Sequence, residues 1–320
     1  MNILVTAIGS MSAEAVISAL KAINSVNKVV GCDVHPHNWL PASRLLDAFC
    51  QVPYYLDNSY IQQITELCAA ERIDAIIPLT DPEVDTLSDN SLIFENKGVN
   101  LYIGNQETIL ICRDKYRLAG FFKESQCVTT IPSFPLEDVL ADKIGFPLIG
   151  KPKKGRSSEG LILFENREVV ECRMDQLHNY IFQPVFNGDV YTVDVVRDSF
   201  GNTVSLVRKE LLRTTNGAGL TVQIQSNHPL AEMTNKVANM LQIKGCINVE
   251  YLSHGKDYYL MDINPRFSAG IAFSQMTGYD MVRSHVNAFS GHRIETPVPL
   301  RNMILAKGFR DYNTADWKLY

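Results

Sequence analysis

The segment YYLMDINPRFSAG places an acid, an amide and an arginine at alternate positions, Asp262, Asn264 and Arg266, directly after an apolar run. Because side chains alternate between the two faces of a strand, Asp262 and Asn264 point to the same side, roughly 7 Å apart along the backbone. The preceding apolar segment, CINVEYL, carries Glu250 in a similar alternating pattern. If the SHGK turn pairs the two segments antiparallel, Glu250 lies across from Asp262, and two carboxylates and an amide oxygen converge.

Two carboxylates on a covered sheet face are unfavourable unless a positive charge meets them. An all-oxygen set with few side chains is what Mg²⁺ prefers, because it keeps several waters and takes other oxygens from substrate phosphates. Glu250, Asp262 and Asn264 are therefore the predicted ligands of Mg²⁺ or Mn²⁺. Arg266 could meet the same phosphates with its planar fork of donors. The alternative is an edge strand whose polar face is simply solvated.

The segment KPKKGRSSEG has the composition of a phosphate-binding loop. Lys151 ends an apolar strand, and the glycines and serines of 155–160 would let backbone N–H groups wrap around phosphate oxygens. The segment is not a GxxxxGK[ST] P-loop, and the chain contains none. A plain hairpin turn is the alternative for this loop. Lys115 opens a predicted helix in RDKYRLAGFF and would, by itself, be a surface lysine.

Taken in chain order, several segments resemble the ATP-grasp superfamily, and the resemblance spans nearly the whole chain. They are RDK, FPLIGKPKKGRSSEG, IFQPVFNGDVYTVDVV, NVEYL and MDINPR. MDINPR is similar to the E-x-N-P-R ending of carbamoyl-phosphate-synthase-like and carboxylate–amine ligase members, with Asp262 in place of the usual glutamate. The replacement keeps the charge on a side chain one methylene shorter, which bears on bidentate metal binding.

The resemblance implies ATP and Mg²⁺ as cofactors. Lys115 and Lys151 would grip the ATP phosphates and the adenine edge, and the loop at 155–160 would cover the triphosphate. The backbone of the hinge at 183–185 would meet the adenine, and Asp189 would contact the ribose. The implied nucleotide-binding set is Lys115, Lys151, Gly155, Ser157, Ser158, Gly160, Gln183, Pro184, Val185, Asp189 and Arg208. The implied catalytic set is Lys151, Arg213 and Arg266, with Arg266 stabilising the transferring phosphoryl group.

The segment VRKELLRTTNGAGLT carries Arg208, Lys209 and Arg213 before a glycine-containing loop. It resembles the basic strand before the substrate loop of small-molecule ATP-grasp ligases, where the charges could neutralise a carboxylate substrate or its acyl phosphate. A solvated strand face is the alternative, because surface strands commonly carry Lys and Arg as edge protection.

The elements that must position these residues follow from periodicity. Strand and helix patterns alternate over the first hundred residues, which predicts a Rossmann-like parallel sheet with helices on both faces. The predicted strands there are 2–7, 29–33 and 75–79, and the predicted helices are 12–23, 61–71 and 83–96. Asp81 and Pro82 predict the start of the last helix, with Asp81 as its capping side chain. The loop AIGSMSAEA lacks two glycines of GxGxxG, which argues against NAD.

From residue 106 onwards the pattern is α+β. The predicted helices are 106–125, 230–241 and 280–290, and the last two should cover one face of a sheet whose strands are predicted at 146–151, 161–164, 180–184, 191–197, 203–213, 245–252 and 258–263. The expected domains are an N-terminal α/β domain (1–105), a central ATP-grasp subdomain with the glycine-rich loop (106–184), and a C-terminal ATP-grasp lobe with the metal site (185–320).

Composition bounds the class of protein. With 320 residues, of which 46% are hydrophobic, the chain can form two or three compact domains. A net charge of −5 without blocks of like charge argues against a nucleic-acid or polybasic membrane partner. Seven scattered cysteines without a CxxC pair favour reduced thiols in a cytoplasmic protein. The N-terminus reads as a strand rather than a signal peptide, no run is long enough to span a membrane, and a homodimer is the base-rate expectation.

These features predict an ATP-dependent, ADP-forming ligase that activates a small carboxylate as an acyl phosphate and joins it to an amine. An enzyme that forms an acyl or carbamoyl phosphate and hands it on is the alternative within the same fold. A nucleotide-binding regulatory protein without turnover is a further alternative, against which the retained Arg266 argues. A dehydrogenase would rest on the N-terminal fold alone.

Overall fold

The computed structural model describes residues 1–155, 159–296 and 299–314. Its strands are β1 (Asn2–Thr6), β2 (Lys28–Asp33), β3 (Ala48–Gln51), β4 (Ala75–Pro78), β5 (Asn100–Leu101), β6 (Leu148–Pro152), β7 (Ile162–Phe164), β8 (Tyr180–Pro184), β9 (Val190–Arg197), β10 (Thr203–Arg213), β11 (Gly219–Ile224), β12 (Gly245–His254), β13 (Asp257–Asn264) and β14 (Met303–Ala306). Its helices are α1 (Ala13–Lys21), α2 (Tyr60–Glu71), α3 (Asp81–Asp89), α4 (Ser91–Glu95), α5 (Gln106–Arg113), α6 (Lys115–Phe122), α7 (Leu136–Leu140), α8 (Arg167–Glu171), α9 (Pro229–Met240), α10 (Ile271–Gln275) and α11 (Met281–Phe289). None of the helices in these ranges has the length and apolar character needed to cross a membrane.

The N-terminal strands form a parallel sheet in the order β3-β2-β1-β4-β5. Helices cover both of its faces, which is why β1 is apolar at consecutive positions. Val5 packs with Val16 of α1 in one core cluster, whereas Leu4 packs with Ile64 of α2 in another. The predicted Rossmann-like α/β sheet is therefore confirmed.

The strands described after residue 145 form two antiparallel sheets. The smaller sheet has the order β7-β6-β8, and the larger has the order β13-β12-β9-β10-β11-β14. In the larger sheet each strand is antiparallel to its neighbours, as short hairpin-like turns require. The predicted α+β architecture of this part of the chain is confirmed, while the domain boundaries at 105/106 and 184/185 stay predictions.

The helices α9 and α11 cover opposite faces of the larger sheet, so the prediction that they share one face is wrong. Val237 of α9 packs in a cluster with Val195, whereas Val286 of α11 packs in a cluster with Val196. Adjacent residues of a strand point to opposite faces, so these two helices are on opposite sides. Periodicity shows that each helix is amphipathic but not which face of the sheet it meets.

Both long helices predicted on either side of residue 100 are split in two. The helix α5 ends at Arg113, and α6 restarts after Asp114. The Asp114 carboxylate accepts hydrogen bonds from the N–H groups of the second and third residues of α6, at 3.0 and 3.1 Å, and this cap holds Lys115 at the first helical position. The helices α3 and α4 are separated at Asn90.

The start of α3 differs from the prediction. Its N-cap residue is Thr80, so Asp81 is the first helical residue, and the predicted capping role of Asp81 is wrong. The Asp81 carboxylate instead accepts a hydrogen bond from Arg266 Nη2 at 2.7 Å. The Asp81 side chain could have capped α3, but in the folded chain it contacts Arg266 instead.

One core cluster joins the N-terminal sheet to the C-terminal part of the chain. Ile3 and Ile77 of the parallel sheet belong to the same buried cluster as Phe267 and Val282, which follow the MDINPR segment. The carboxyl ends of the parallel strands are therefore fixed next to the end of β13. Ligands of open α/β sheets bind outside the carboxyl ends of the strands, so this junction is where a site is expected.

Candidate active site

A cleft of about 580 Å³ opens where the N-terminal sheet, the glycine-rich loop and the larger antiparallel sheet meet. The turn after β1 and the start of α3 form one wall, and the strands β10, β12 and β13 form the floor. The sequence-predicted site residues that line this cleft are Lys115, Lys151, Gly155, Arg208, Arg213, Glu250, Asp262, Asn264 and Arg266.

The two acidic strands pair as the sequence predicts, with Glu250 of β12 opposite Asp262 of β13. Each carboxylate meets a cation of the chain. Glu250 Oε2 lies 3.2 Å from Arg213 Nη2, and Asp262 Oδ2 lies 3.1 Å from Lys115 Nζ. Burial raises the pKa of Glu250, and the charge of Arg213 opposes that rise. The negative charge of the cleft floor is therefore balanced by the side chains of Arg213 and Lys115.

The donor set on this floor fits a divalent cation that completes its shell with other oxygens. Within the described ranges, no group of three His, Cys, Asp or Glu side chains could hold a metal ion. Glu250, Asp262 and Asn264 offer two carboxylates and an amide oxygen. Asn264 Nδ2 donates to Glu250 Oε1 at 3.4 Å, and the amide would turn its oxygen towards a bound cation. Mg²⁺ is commonly bound by one or two carboxylates together with waters and substrate phosphates. A cation there would compete with Arg213 and Lys115 for the carboxylates.

The two predicted nucleotide-binding lysines lie at the same edge of the cleft. Lys115 Nζ donates a hydrogen bond to the Gly155 carbonyl oxygen at 3.1 Å and also contacts Asp262, so it ties the start of the glycine-rich loop to β13. Burial lowers the pKa of Lys151 to about 8; Lys115 acts in the same direction and Asp262 opposes it. An anion with several negative oxygens would satisfy both ammonium groups.

The glycine-rich loop is described only at its two ends. Gly155 lines the cleft, and Gly160 returns the chain towards β7 with a φ of 70°. A Cβ atom at Gly160 would lie 3.0 Å from the Tyr180 hydroxyl oxygen, so this position favours glycine for both conformation and space. The predicted phosphate contacts of Ser157 and Ser158 lie outside the described residues.

The basic residues of β10 have separate partners. Arg208 is 2% exposed, and its Nη1 donates to Asp194 Oδ2 at 2.6 Å, so its charge is neutralised inside the protein. Lys209 Nζ pairs with Asp189 Oδ2 at 2.6 Å, and neither residue is among those that line the cleft. Arg213 does face the cleft. Arg208 and Arg213 both line the cleft, but Arg208 is 2% exposed and Arg213 is 27% exposed, so Arg213 is the one better placed to meet a ligand.

The predicted hinge residues lie beside the cleft rather than in its lining, which contains none of Gln183, Pro184, Val185 and Asp189 among the described residues. Gln183 is buried, and its Nε2 donates to Ser133 Oγ at 2.7 Å. Pro184 pairs with Leu148 at the end of β8. Their contacts with adenine and ribose stay predictions.

Arg266 lines the cleft at the end of β13, and several acceptors hold its guanidinium. Nη2 donates to Asp81 Oδ2 at 2.7 Å, and Nη1 donates to the Phe267 carbonyl oxygen at 2.9 Å. Nε is buried and has no hydrogen-bond partner among the described residues. A buried donor without an acceptor costs about 1–3 kcal/mol. The side chain as a whole is 19% exposed and lines the cleft, so a ligand can meet the exposed part of it.

Three residues with carboxylates that line the cleft, Asp81, Glu159 and Glu210, are absent from the predicted catalytic, nucleotide-binding and metal-binding sets. Glu210 lines the cleft with a side chain that is 3% exposed. It follows Arg208 by two residues, so strand alternation could have placed both on one face. Asp81 reaches the cleft from the N-terminal sheet, and the chain separates it from Arg266 by 185 positions, so no local pattern connects them.

Family models match two long parts of the chain. The model described as ATP-grasp in the biosynthetic pathway with Ter operon matches residues 176–309, and the model of the PylC-like N-terminal domain matches residues 3–102. The carbamoyl phosphate synthase large chain of Clostridium acetobutylicum is 20% identical over 75% of this chain, and that of Thermoplasma acidophilum is 22% identical over 81%. This chain covers 24% and 28% of those two relatives, respectively.

Solved structures share the fold. The biotin carboxylase domain of Hydrogenobacter thermophilus 2-oxoglutarate carboxylase, in complex with MgADP, ADP and bicarbonate, superposes with a TM-score of 0.79 at 18% identity, covering 94% of this chain and 73% of that chain. N5-carboxyaminoimidazole synthetase of Staphylococcus aureus, complexed with ADP, gives 0.75 at 17% identity, covering 95% and 81%. The paired acids of β12 and β13 thus lie, beside two lysines and an arginine, in a chain whose residues 176–309 match an ATP-grasp family model and whose fold these solved structures share.

Proposed function

We propose that the protein is an ADP-forming ligase that uses ATP to activate a small carboxylate as an acyl phosphate and joins it to an amine. The observation that carries this proposal is the convergence on one cleft of Glu250, Asp262 and Asn264 with Lys115, Lys151 and Arg266. Oxygen ligands for a metal, cations for a triphosphate and an arginine at the end of the metal-binding strand are the parts that phosphoryl transfer needs.

The nucleotide would lie along the edge that carries the two lysines, with its adenine towards the hinge at 183–185. Lys115 and Lys151 would neutralise the phosphates, and Lys115 would hold the start of the glycine-rich loop through the Gly155 carbonyl oxygen. Glu250, Asp262 and Asn264 would hold Mg²⁺, or Mn²⁺ in its place. When bound, the metal ion would offset charge on the phosphate oxygens and orient them.

In the first step, a carboxylate oxygen of the substrate would attack the γ-phosphorus of ATP, and the bond from that phosphorus to the bridging oxygen of ADP would break. Arg266 would donate to the oxygens of the transferring group, and Lys151 would offset charge on the phosphates. In the second step, the amine would attack the acyl carbon and release phosphate. No side chain need act as a covalent nucleophile.

The acyl donor would sit on the far side of the metal floor from the lysines. Arg213 faces this region and contacts Glu250 at 3.2 Å, so it could exchange that carboxylate for the carboxylate of a substrate. The backbone of 268–270 also lines the cleft there. We further propose that the three units 1–105, 106–184 and 185–320 act as domains, with the nucleotide between the last two.

The test is ADP and phosphate release from ATP across a panel of carboxylates paired with amines. Release that requires both partners supports the ligase. ADP release that needs only a carboxylate supports the formation of an acyl phosphate, and release that needs only a carbamate supports the formation of carbamoyl phosphate, a reaction that the similarity to carbamoyl phosphate synthase large chains favours. Nucleotide binding without turnover in any mixture would support a regulatory protein.

The metal floor is tested by Asp262→Ala, which should reduce turnover roughly hundredfold or more through loss of a metal ligand, with an unchanged melting temperature. The matched control is Asp257→Ala, which removes an exposed carboxylate from the start of the same strand and should leave turnover as it is. Full activity of the Asp262 variant would contradict the proposed site.

A further inference from the structure

Asp81 is a buried carboxylate of the N-terminal unit that faces the arginine of MDINPR. It is 2% exposed, lines the cleft and lies at the first position of α3. Its Oδ2 accepts a hydrogen bond from Arg266 Nη2 at 2.7 Å. A charge-assisted hydrogen bond of this length, between a buried carboxylate and a partly exposed guanidinium, is among the stronger polar contacts in a protein.

The remaining acceptors of Arg266 are neutral. Phe267 offers a carbonyl oxygen at 2.9 Å from Nη1, and Asn264 offers its amide oxygen at 3.4 Å from Nη2. Both belong to the same short segment as Arg266 itself. Among the described residues, Asp81 is the acidic side chain that forms an ion pair with Arg266, and it belongs to α3 of the N-terminal unit.

Asp81 is itself held in place. Arg113 Nη1 lies 3.7 Å from Asp81 Oδ1, and Arg113 Nε donates to both carboxylate oxygens of Asp85 at 3.1 Å. Asp81 and Asp85 are one helical turn apart on α3, and Arg113 ends α5, directly before the segment that carries Lys115. The carboxylate that faces Arg266 is thus anchored from two helices and does not depend on the cleft contents.

The Asp81 contact restricts the conformation of the Arg266 side chain. An arginine side chain has many rotamers, and a guanidinium at the end of a strand would sample several of them without a partner. The Asp81 contact uses one N–H of Nη2 and fixes the plane of the group. The Arg266 side chain is still 19% exposed and lines the cleft, so a ligand oxygen can reach it while the Asp81 contact is kept.

We propose that Asp81 is the positioning residue for Arg266, so that the N-terminal unit orients the arginine towards the transferring phosphoryl group. This inference rests on the proposed function, in which Arg266 binds that group. Because Asp81 acts through Arg266, its removal should weaken binding of the transition state more than binding of the nucleotide.

The test measures the affinity of the purified protein for MgADP alone and for MgADP with aluminium fluoride, a mimic of the transferring phosphoryl group, by calorimetry. The wild-type protein should bind tighter when fluoride is present. Asp81→Asn should leave MgADP affinity within about twofold but reduce the gain from aluminium fluoride roughly tenfold or more, the scale of one charge-assisted hydrogen bond. Arg266→Gln should lose the same gain.

The matched control is Asp89→Asn, the same chemical change two turns further along α3. Asp89 is exposed, contacts Gln106 and is not among the residues that line the cleft, so this variant should keep the wild-type gain. Asp81→Glu keeps the charge on a longer arm and should retain more of the gain than Asp81→Asn. A role in packing alone would make the bulkier glutamate the more harmful of the two.

The outcomes separate the two proposals. A wild-type protein that does not bind MgADP would overturn the proposed function. A protein that binds MgADP, with a wild-type gain from aluminium fluoride in Asp81→Asn, would overturn the positioning role and leave the proposed function standing. The absence of any gain in the wild-type protein would also overturn the positioning role, because Arg266 would then have no measurable contact for Asp81 to support.

Discussion

Among the single residues of the cleft, three basic side chains each form an ion pair with an acidic side chain. Lys115 contacts Asp262, Arg213 contacts Glu250, and Arg266 contacts Asp81. Burying an unpaired charge is costly, so the fold is stable only if these groups neutralise one another or a ligand does so. A metal ion can replace the basic partners of the carboxylates, and a polyphosphate can replace the acidic partners of the lysine and arginine side chains.

Lys151 gives a prediction about pH. Burial lowers its pKa to about 8, so the free protein loses this positive charge as the pH rises through about 8. A bound anion favours the protonated form, and affinity should therefore fall above that pH by no more than about tenfold per pH unit. We expect calorimetry with MgADP to detect this decline between about pH 7 and about pH 9.

The comparison for this prediction is Lys151→Arg. An arginine stays charged over the whole range, so the variant should bind MgADP with little change above pH 8 even if its affinity is lower at pH 7. An equal decline in the wild-type protein and in the variant would show that another group titrates, and the assignment to Lys151 would be wrong.

Among the strands, the alternation of side chains and a β-bulge determine which side chains face the cleft. Regular alternation brings Glu250 and Asp262 together on β12 and β13. On β10 the same alternation would turn Arg213 away from the face that carries Arg208 and Glu210. The pairing of β10 with β11 shifts register between Glu210 and Arg213, and this β-bulge returns Arg213 to the cleft.

The connection from β8 to β9 gives a prediction at this scale. A Cβ atom at Gly188 would lie 1.6 Å from the Ser253 carbonyl oxygen, on the hairpin of β12 and β13. Because the Ser253 oxygen belongs to the backbone and a Cβ atom is fixed directly to the backbone at position 188, Gly188→Ala must separate the connection from the hairpin, and it should lower the free energy of unfolding by roughly 1–3 kcal/mol. Urea unfolding monitored by circular dichroism would measure the change.

The control for this prediction is the same substitution where space is open. No atom lies within 4 Å of a Cβ placed at Gly120, in the exposed part of α6. Gly120→Ala should raise stability by about 0.5–1 kcal/mol, because alanine loses less backbone entropy in a helix. A neutral effect of Gly188→Ala would mean that the connection does not pack on the hairpin in solution.

At the scale of the whole molecule, the junction between the N-terminal sheet and the C-terminal lobe is a packed core that contains a histidine. His285 of α11 lies between the rings of Tyr102 and Phe267, and its Nδ1 accepts a hydrogen bond from the Cys246 N–H at 2.9 Å. Burial lowers the pKa of His285 to about 3. The junction therefore requires a neutral imidazole.

The free energy of unfolding depends on pH because the pKa of His285 differs between the folded and the unfolded chain. In the unfolded chain a histidine binds a proton near about pH 6.5, whereas in the folded chain His285 resists protonation down to about pH 3. The stability contributed by this group is thus fully present above about pH 6.5 and is lost as the pH falls towards 3. Acid should loosen the contact between the two parts of the molecule.

We expect His285→Gln to reduce the acid sensitivity of unfolding. Between about pH 7 and about pH 5 the wild-type protein should lose on the order of 2 kcal/mol more than the variant in urea unfolding. His178→Gln, which replaces an exposed histidine, should behave as the wild-type protein does. Parallel pH profiles for the wild-type protein and the His285 variant would rule out this source of acid sensitivity.

The sequence by itself determined the parts of this protein that depend on neighbours along the chain. Alternating strand and helix patterns predicted the parallel N-terminal sheet, and alternation within strands predicted the pairing of Glu250 with Asp262, because both patterns are local properties. The motifs KPKKGRSSEG and MDINPR predicted the resemblance to the ATP-grasp superfamily, and an ATP-grasp family model matches residues 176–309. Short elements such as β3, β5 and α7 were missed, since a few residues carry too little periodicity.

The tertiary structure determines which residues from distant parts of the chain come into contact. It turned Asp81 from an expected helix cap into a partner of Arg266, placed α9 and α11 on opposite faces of one sheet, and used Arg208 to neutralise the buried Asp194. Each of these outcomes depends on packing between segments far apart in the chain. A local pattern specifies the face of an element but not its partner, and partners are set by the packing of the whole core.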